Sequence, residues 1–217
     1  MNIKTAKEGL IKMTGQEPDR FYYQDQRLDL VGLKGNNLTI PSDLGIETYS
    51  SSTNCWRGYI MRYKIIENQL VLDSFWFNSE NNVLPEINGV KPIKTPDVKL
   101  ESGDWMSFMF KSEYKNLNMR IQFNGSIWLA KDFIDGEYVH MGFQSPTAYR
   151  NVLKFDFKDG IIVNVEDKSK AVETAREKGE CKESQPKSMA SGDLEDWIMK
   201  RFSLDIDFYK KKQGEDK

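Results

Sequence analysis

His140 is the only histidine of the chain, and the residues around it decide what chemistry it can do. The stretch 127–143 reads as a β-hairpin turning on Ile134-Asp135-Gly136. A three-residue loop sets Ile127 opposite Phe143, Leu129 opposite Met141, Lys131 opposite Val139 and Phe133 opposite Glu137, which makes one mostly apolar face. A slip of one residue would mix both faces, so the pattern discriminates between registers. Gly136 takes the left-handed position that such a loop requires. His140 then falls on the polar face with Trp128, Asp132 and Tyr138. An imidazole near a carboxylate titrates close to neutral pH and can act as a base or hold a ligand. His140, Asp132 and Tyr138 are therefore the candidate catalytic residues of an enzyme, and Trp128, His140 and Tyr138 are candidate ligand contacts. A surface histidine with no catalytic part is the commoner role for such a residue.

Cys55 and Arg57 extend the candidate ligand-binding set. A guanidinium two residues from a thiol can lower its pKa, and His140 would complete a Cys–His pair. The surrounding Thr53-Asn54-Cys55-Trp56-Arg57-Gly58 matches no nucleophile signature, and a small buried residue at a strand start is the simpler reading. The second cysteine, Cys181, lies far away in a charged context, so two reduced thiols are expected rather than a disulfide. One histidine and two unclustered cysteines provide no metal-ligand spacing. No metal and no cofactor are expected. The Ser50–Thr53 hydroxyls lack the glycine-rich loop into a helix that marks a phosphate site. Acidic pairs such as Glu166-Asp167 are explained by turns and solvated edges.

The elements that must position these residues are mostly strands. Tyr59–Ile65 alternates and is followed by Leu70–Leu72 and Phe75–Phe77, a hairpin with Ile65 opposite Leu70 and Tyr63 opposite Leu72. A four-residue loop, 66–69, is preferred, because a two-residue turn forces Glu67 to a positive φ. Three consecutive aromatics at 75–77 face both ways, so something must cover each face. A second Asp-Gly hairpin, 153–165, pairs Phe157 with Ile161, Phe155 with Val163 and Leu153 with Val165 through a three-residue loop. Short extended pieces are expected at Arg20–Tyr23, Leu28–Leu33 and Leu38–Ile40, with further strands at Trp105–Phe110 and Asn118–Phe123. Residues 78–104 read as loop. Thr5 to Thr14 reads as a short N-terminal helix, capped by Thr5 and ended by Gly15. A transient helix is expected over Lys168–Lys178. A further helix is expected from an Asp193 cap, with Leu194, Trp197, Ile198 and Phe202 on its apolar face. The following Ser203–Tyr209 alternates.

These readings make an α+β protein: a mainly antiparallel β-meander, compatible with a partly closed barrel, with a short N-terminal helix and a C-terminal amphipathic helix. A β-rich domain spans 1–166, a charged linker 167–192, and the C-terminal helix with its basic tail 193–217. The net charge of −2 disfavours nucleic acid as a partner, because no global basic field exists to hold phosphates. No apolar run is long enough to span a bilayer, and the N-terminus lacks a signal-peptide core. A cytoplasmic, membrane-free protein is expected. Its function is read as non-catalytic binding of a protein partner or a small molecule, the profile of inhibitor and immunity-type proteins by analogy of kind alone. The alternative is an enzyme on a small polar substrate with His140 as general base.

Overall fold

A computed structural model describes residues 14–81, 83–94, 109–179, 187–188 and 190–204. Its centre is one mixed sheet of ten strands. They are β1 (Arg20–Tyr23), β2 (Gln26–Gly35), β3 (Tyr59–Ile66), β4 (Gln69–Phe77), β5 (Ile93–Lys94), β6 (Ser112–Tyr114), β7 (Met119–Arg120), β8 (Gly125–Phe133), β9 (Tyr149–Lys158) and β10 (Ile161–Asp167). Two helices follow, α1 (Ser169–Glu177) and α2 (Ser191–Phe202). The neighbour order is β10-β9-β8-β2-β1-β3-β4-β6-β5, with β7 on β4. β10 returns to β4 through Ile161 and Gln69, which closes a ring of strands. Pairing is antiparallel except between β1 and β3, which run parallel. The α+β, mainly antiparallel expectation therefore holds. The expected N-terminal helix, Cys181, most of Trp105–Phe110 and the chain after Leu204 lie outside the described residues.

The main core fills the ring. Phe21, Tyr63, Leu72, Phe75, Phe77, Tyr114, Phe123 and Phe155 are all buried in it. β-Bulges decide which side chains enter. Between Arg62 and Tyr63 the register of β3 on β4 shifts past Asp73. An extra residue flips the alternation that follows it. Leu70 and Leu72 therefore share the core face with Phe75 and Phe77, although their positions differ in parity. The skipped Asp73 is buried and ion-paired to Lys64 at 2.6 Å. β2 uses the same device. A shift between Leu30 and Gly32 keeps Leu28, Leu30 and Leu33 on the core side and turns Val31 outward.

Two outer clusters finish the packing. Val31, Ala130, Ala148, Tyr149 and Val152 form one, covered by Val172 of α1. Cys55, Ile60, Trp76 and Phe110 form the other. The three aromatics at 75–77 thus do face both ways: Phe75 and Phe77 enter the core, and Trp76 enters the outer cluster beneath the guanidinium of Arg62, 4.2 Å from its ring. Among the described residues, no helix is long and apolar enough to cross a membrane.

Several local expectations are corrected. The 127–143 hairpin does not form. β8 pairs with β2 on one edge and β9 on the other, so no edge is left for 137–143. A long loop, 134–148, joins β8 to β9 instead, and Gly142 within it has φ +72, a turn conformation. The 153–165 hairpin forms, but on the two-residue turn Asp159-Gly160 with φ +51 and +76. Lys158 then faces Ile161, Phe157 faces Ile162, and a bulge leaves Val163 exposed. The β3–β4 pairs Ile65–Leu70 and Tyr63–Leu72 are as expected, yet the connection is the two-residue turn Glu67-Asn68, both at positive φ. Leu38–Ile40 is not a strand, and Asn118–Phe123 contributes only β7. α2 begins at Ser191 with Ala190 at its N-cap, so Asp193 sits in the first turn rather than capping it.

Candidate functional site

A cleft of about 550 Å³ opens where the segment before β1 meets the 134–148 loop. Backbone geometry builds it. Arg20 opens β1 and lies directly across from Asp29 of β2, with Arg27 two positions along from Asp29 on the same strand face. These three line the cleft together with Glu17. Tyr149, first residue of β9, closes one side.

Polar side chains tie the walls together. The Gln16 amide nitrogen donates to the carbonyls of Thr53 (2.9 Å) and Thr14 (3.2 Å), while its oxygen accepts the Trp56 N–H at 2.9 Å. Gln16 N–H donates to the Gly142 carbonyl at 2.9 Å. Gly15 N–H donates to the Tyr138 hydroxyl at 3.0 Å. The Gln144 side chain clamps Val139 at both its N–H (3.0 Å) and its carbonyl (2.8 Å). The loop is therefore held rigidly against the 14–17 segment. Such over-determined contacts are what a pre-formed site needs.

α2 braces this loop from behind. Trp197 and Arg201 are buried. The Arg201 carbonyl accepts Phe143 N–H at 2.9 Å, and the Phe202 ring stacks on Trp56 at 5.1 Å. The apolar face of the helix thus packs in cis onto the body that carries the cleft.

Burial sets the electrostatics. Desolvation raises the Glu17 carboxyl above its ordinary pKa, against the opposing pull of Arg20. Desolvation lowers Arg20, with Arg27 adding to the same direction and Glu17 opposing it. Arg27 is ion-paired to Asp29 at 3.0 Å. The Tyr149 hydroxyl is pushed up by burial, then by the charges of Asp29 and Glu17.

The sequence-predicted residues scatter around this cleft. Tyr138 lines it. His140 does not: it is exposed and packs edge-on against the Tyr138 ring, 5.0 Å between centroids. Asp132 has φ +61, is exposed, and accepts a hydrogen bond from Asn151. The expected trio of His140, Asp132 and Tyr138 is thus reduced to the His140–Tyr138 contact. Trp128 packs on the Val31 cluster. Arg57 gives its guanidinium to Asp19 and stacks over Tyr59 and Phe143. Cys55 is buried and directs its thiol to the Tyr59 carbonyl at 3.3 Å. Burial raises that thiol despite the nearby Arg57 charge, which is the opposite of an activated nucleophile. No Cys55–His140 pair forms.

No known family matches this chain, and neither curated proteins nor solved structures provide a similar one. The site must therefore be read from its own chemistry. Among the described residues, no group of three or more His, Cys, Asp or Glu is placed to hold a metal ion.

Glu17, Arg20, Arg27, Asp29 and Tyr149 are the site residues that sequence reasoning did not single out. Their signal was present but weak. Arg20, Arg27 and Asp29 alternate with the core residues Phe21, Leu28 and Leu30, which marks the polar face of a hairpin. That this face is roofed over depends on loops far away in sequence.

Proposed function

We propose that this protein is a non-catalytic binding protein that takes a small polar ligand in the cleft between the Thr14–Arg20 segment and the 134–148 loop. The observation that carries the reading is Arg20. Its side chain lines the cleft and is only 6% exposed, and its Nε has no hydrogen-bond partner. An unfilled donor on a buried charged group costs on the order of 1–3 kcal/mol or more. Structures tolerate such a deficit where a ligand supplies the missing acceptor. The cleft volume falls in the range of small-molecule sites, roughly 300–1,000 Å³, and its rigid walls favour a pre-formed receptor.

The reading of His140 as a general base has little support here. A base must come within hydrogen-bond reach of the proton that it removes, and His140 is exposed and does not line the cleft.

Native mass spectrometry of the protein purified from its natural host tests the proposal. A small molecule bound in stoichiometric amount, released on denaturation and recovered unchanged after long incubation with fresh protein, is the expected result. Conversion of that molecule overturns the non-catalytic reading. Retention of the molecule by Arg20→Gln at unchanged affinity places it elsewhere and overturns the site.

A further inference from the structure

The hydrogen-bonding capacity left over in the cleft narrows the ligand class, on the premise that the cleft is a ligand site. Most polar groups lining it are already used. Gln16 and Gln144 are spent on backbone groups. The Thr14 hydroxyl donates to that of Thr53 at 3.4 Å. Asp29 is taken by Arg27. Two charged groups remain. The guanidinium of Arg20 makes no hydrogen bond to a described residue, and its Nε is buried without a partner. The Glu17 carboxylate likewise makes none, and only its backbone is engaged, through Arg57 and Asn54. Glu17 and Arg20 feel each other's charge, yet they do not meet as an ion pair.

An opposite pair of charges held apart in a desolvated cleft is complementary to a molecule carrying the reverse pair. The four charged lining residues, Glu17, Asp29, Arg20 and Arg27, also balance. A multiply charged anion would face two carboxylates, and a bare cation would face two guanidiniums. We infer that the cleft binds a small zwitterion bearing a carboxylate and an ammonium group, of the free α-amino acid class, with the carboxylate on Arg20 and the ammonium on Glu17. Arginine suits the first role because its planar fork matches a carboxylate. The Tyr138 hydroxyl accepts from Gly15 N–H and retains its own proton to donate to the same ligand.

The test is calorimetric titration of the full chain with the proteinogenic α-amino acids. Each binder is compared with its decarboxylated amine and with its 2-hydroxy acid. At least one amino acid binding at unit stoichiometry is expected, with each truncated counterpart weaker by about tenfold or more, as loss of a charge-assisted hydrogen bond implies. Arg20→Gln should weaken the amino acid by a similar factor. Glu17→Gln, a milder change nearer the rim, should abolish the preference for ammonium over hydroxyl even if Arg20→Gln does not fold. No binding by any amino acid, or equal binding by the 2-hydroxy acid, overturns the zwitterion assignment. If a different molecule co-purifies and depends on Arg20, the cleft remains a ligand site and only its assigned class falls.

Discussion

Asp19 and Arg57 form a two-pronged ion pair, Nη1 to Oδ2 at 2.8 Å and Nη2 to Oδ1 at 3.0 Å. The same Oδ1 accepts the Met61 N–H at 2.9 Å, and Arg57 Nη2 also reaches the Glu17 carbonyl at 3.1 Å. One carboxylate therefore pins the residue before β1 to the start of β3 and to the 53–58 wall of the cleft. Burial alone would lower the Arg57 pKa; the Asp19 charge and its hydrogen bonds outweigh this and raise it. Asp19→Asn keeps the shape but removes the charge, leaving a largely buried guanidinium uncompensated. Loss of one partner of such a pair costs about 3–5 kcal/mol. Urea denaturation should show that loss, and Arg57→Met in the Asp19→Asn background should recover part of it. Full stability in Asp19→Asn would mean that the pair is solvated and contributes little.

Gly142 joins the cleft loop to α2. At φ +72 its ideal Cβ would sit 2.2 Å from the Arg201 carbonyl oxygen. Gly142→Ala must therefore push the helix away as well as strain the backbone. A loss of about 2 kcal/mol is expected. The more specific result is reduced hydrogen-exchange protection over 194–202, with fluorescence changes at Trp56 and Trp197. A variant as stable as the parent, with α2 still protected, would refute the coupling between helix and loop.

Glu17 gives a pH signature. Its folded pKa is raised by burial from an ordinary value of 4.5, so the folded state holds this proton more tightly than the unfolded chain does. Between the unfolded and the folded pKa the folded state binds more protons, and stability falls as pH rises. Above that window the penalty is complete; below it there is none. Glu17→Gln should therefore raise stability at neutral pH by about 1 kcal/mol or less, a common gain where a functional group is removed. The gain should disappear below about pH 4. Thermal melts across that range check this. A gain of constant size at every pH would point to a cause other than ionisation.

How much of this was legible from sequence depended on whether local alternation survived. Tyr63–Leu72 was readable because β3 and β4 alternate cleanly up to the bulge. The Asp73 bulge then flips parity, and in 70–77 the apolar runs Leu70–Leu72 and Phe75–Phe77 flank Asp73-Ser74 without a single alternation that would reveal their offset faces. Asp159-Gly160 was correctly taken as a turn, but the Val163 bulge hid its true length. Asp135-Gly136 carries the local signal of a tight hairpin, whereas strand partners are settled by what else competes for the edge, here β2 and β9. The cleft was the least legible feature. Its Gly15–Tyr138 hydrogen bond joins residues 123 apart in sequence, and no spacing rule reaches that far. Tyr138 is legible only as a neighbour of the lone histidine.

That neighbourhood leads to a contrast between two adjacent substitutions. Tyr138 contributes its ring to the cleft wall and its hydroxyl to Gly15 N–H, while His140 contributes only an exposed edge-on ring contact. Tyr138→Phe leaves the Gly15 amide without an acceptor, which should cost about 1 kcal/mol. It should also speed hydrogen exchange at Gly15 and Gln16 and weaken any cleft ligand. His140→Ala should change stability by no more than about 0.5 kcal/mol, as expected for a surface site, and leave cleft binding intact. Amide exchange and ligand titration on the two variants separate the cases. If His140→Ala abolished binding while Tyr138→Phe did not, the functional surface would lie on the outer side of this loop, and the imidazole would return as its central group.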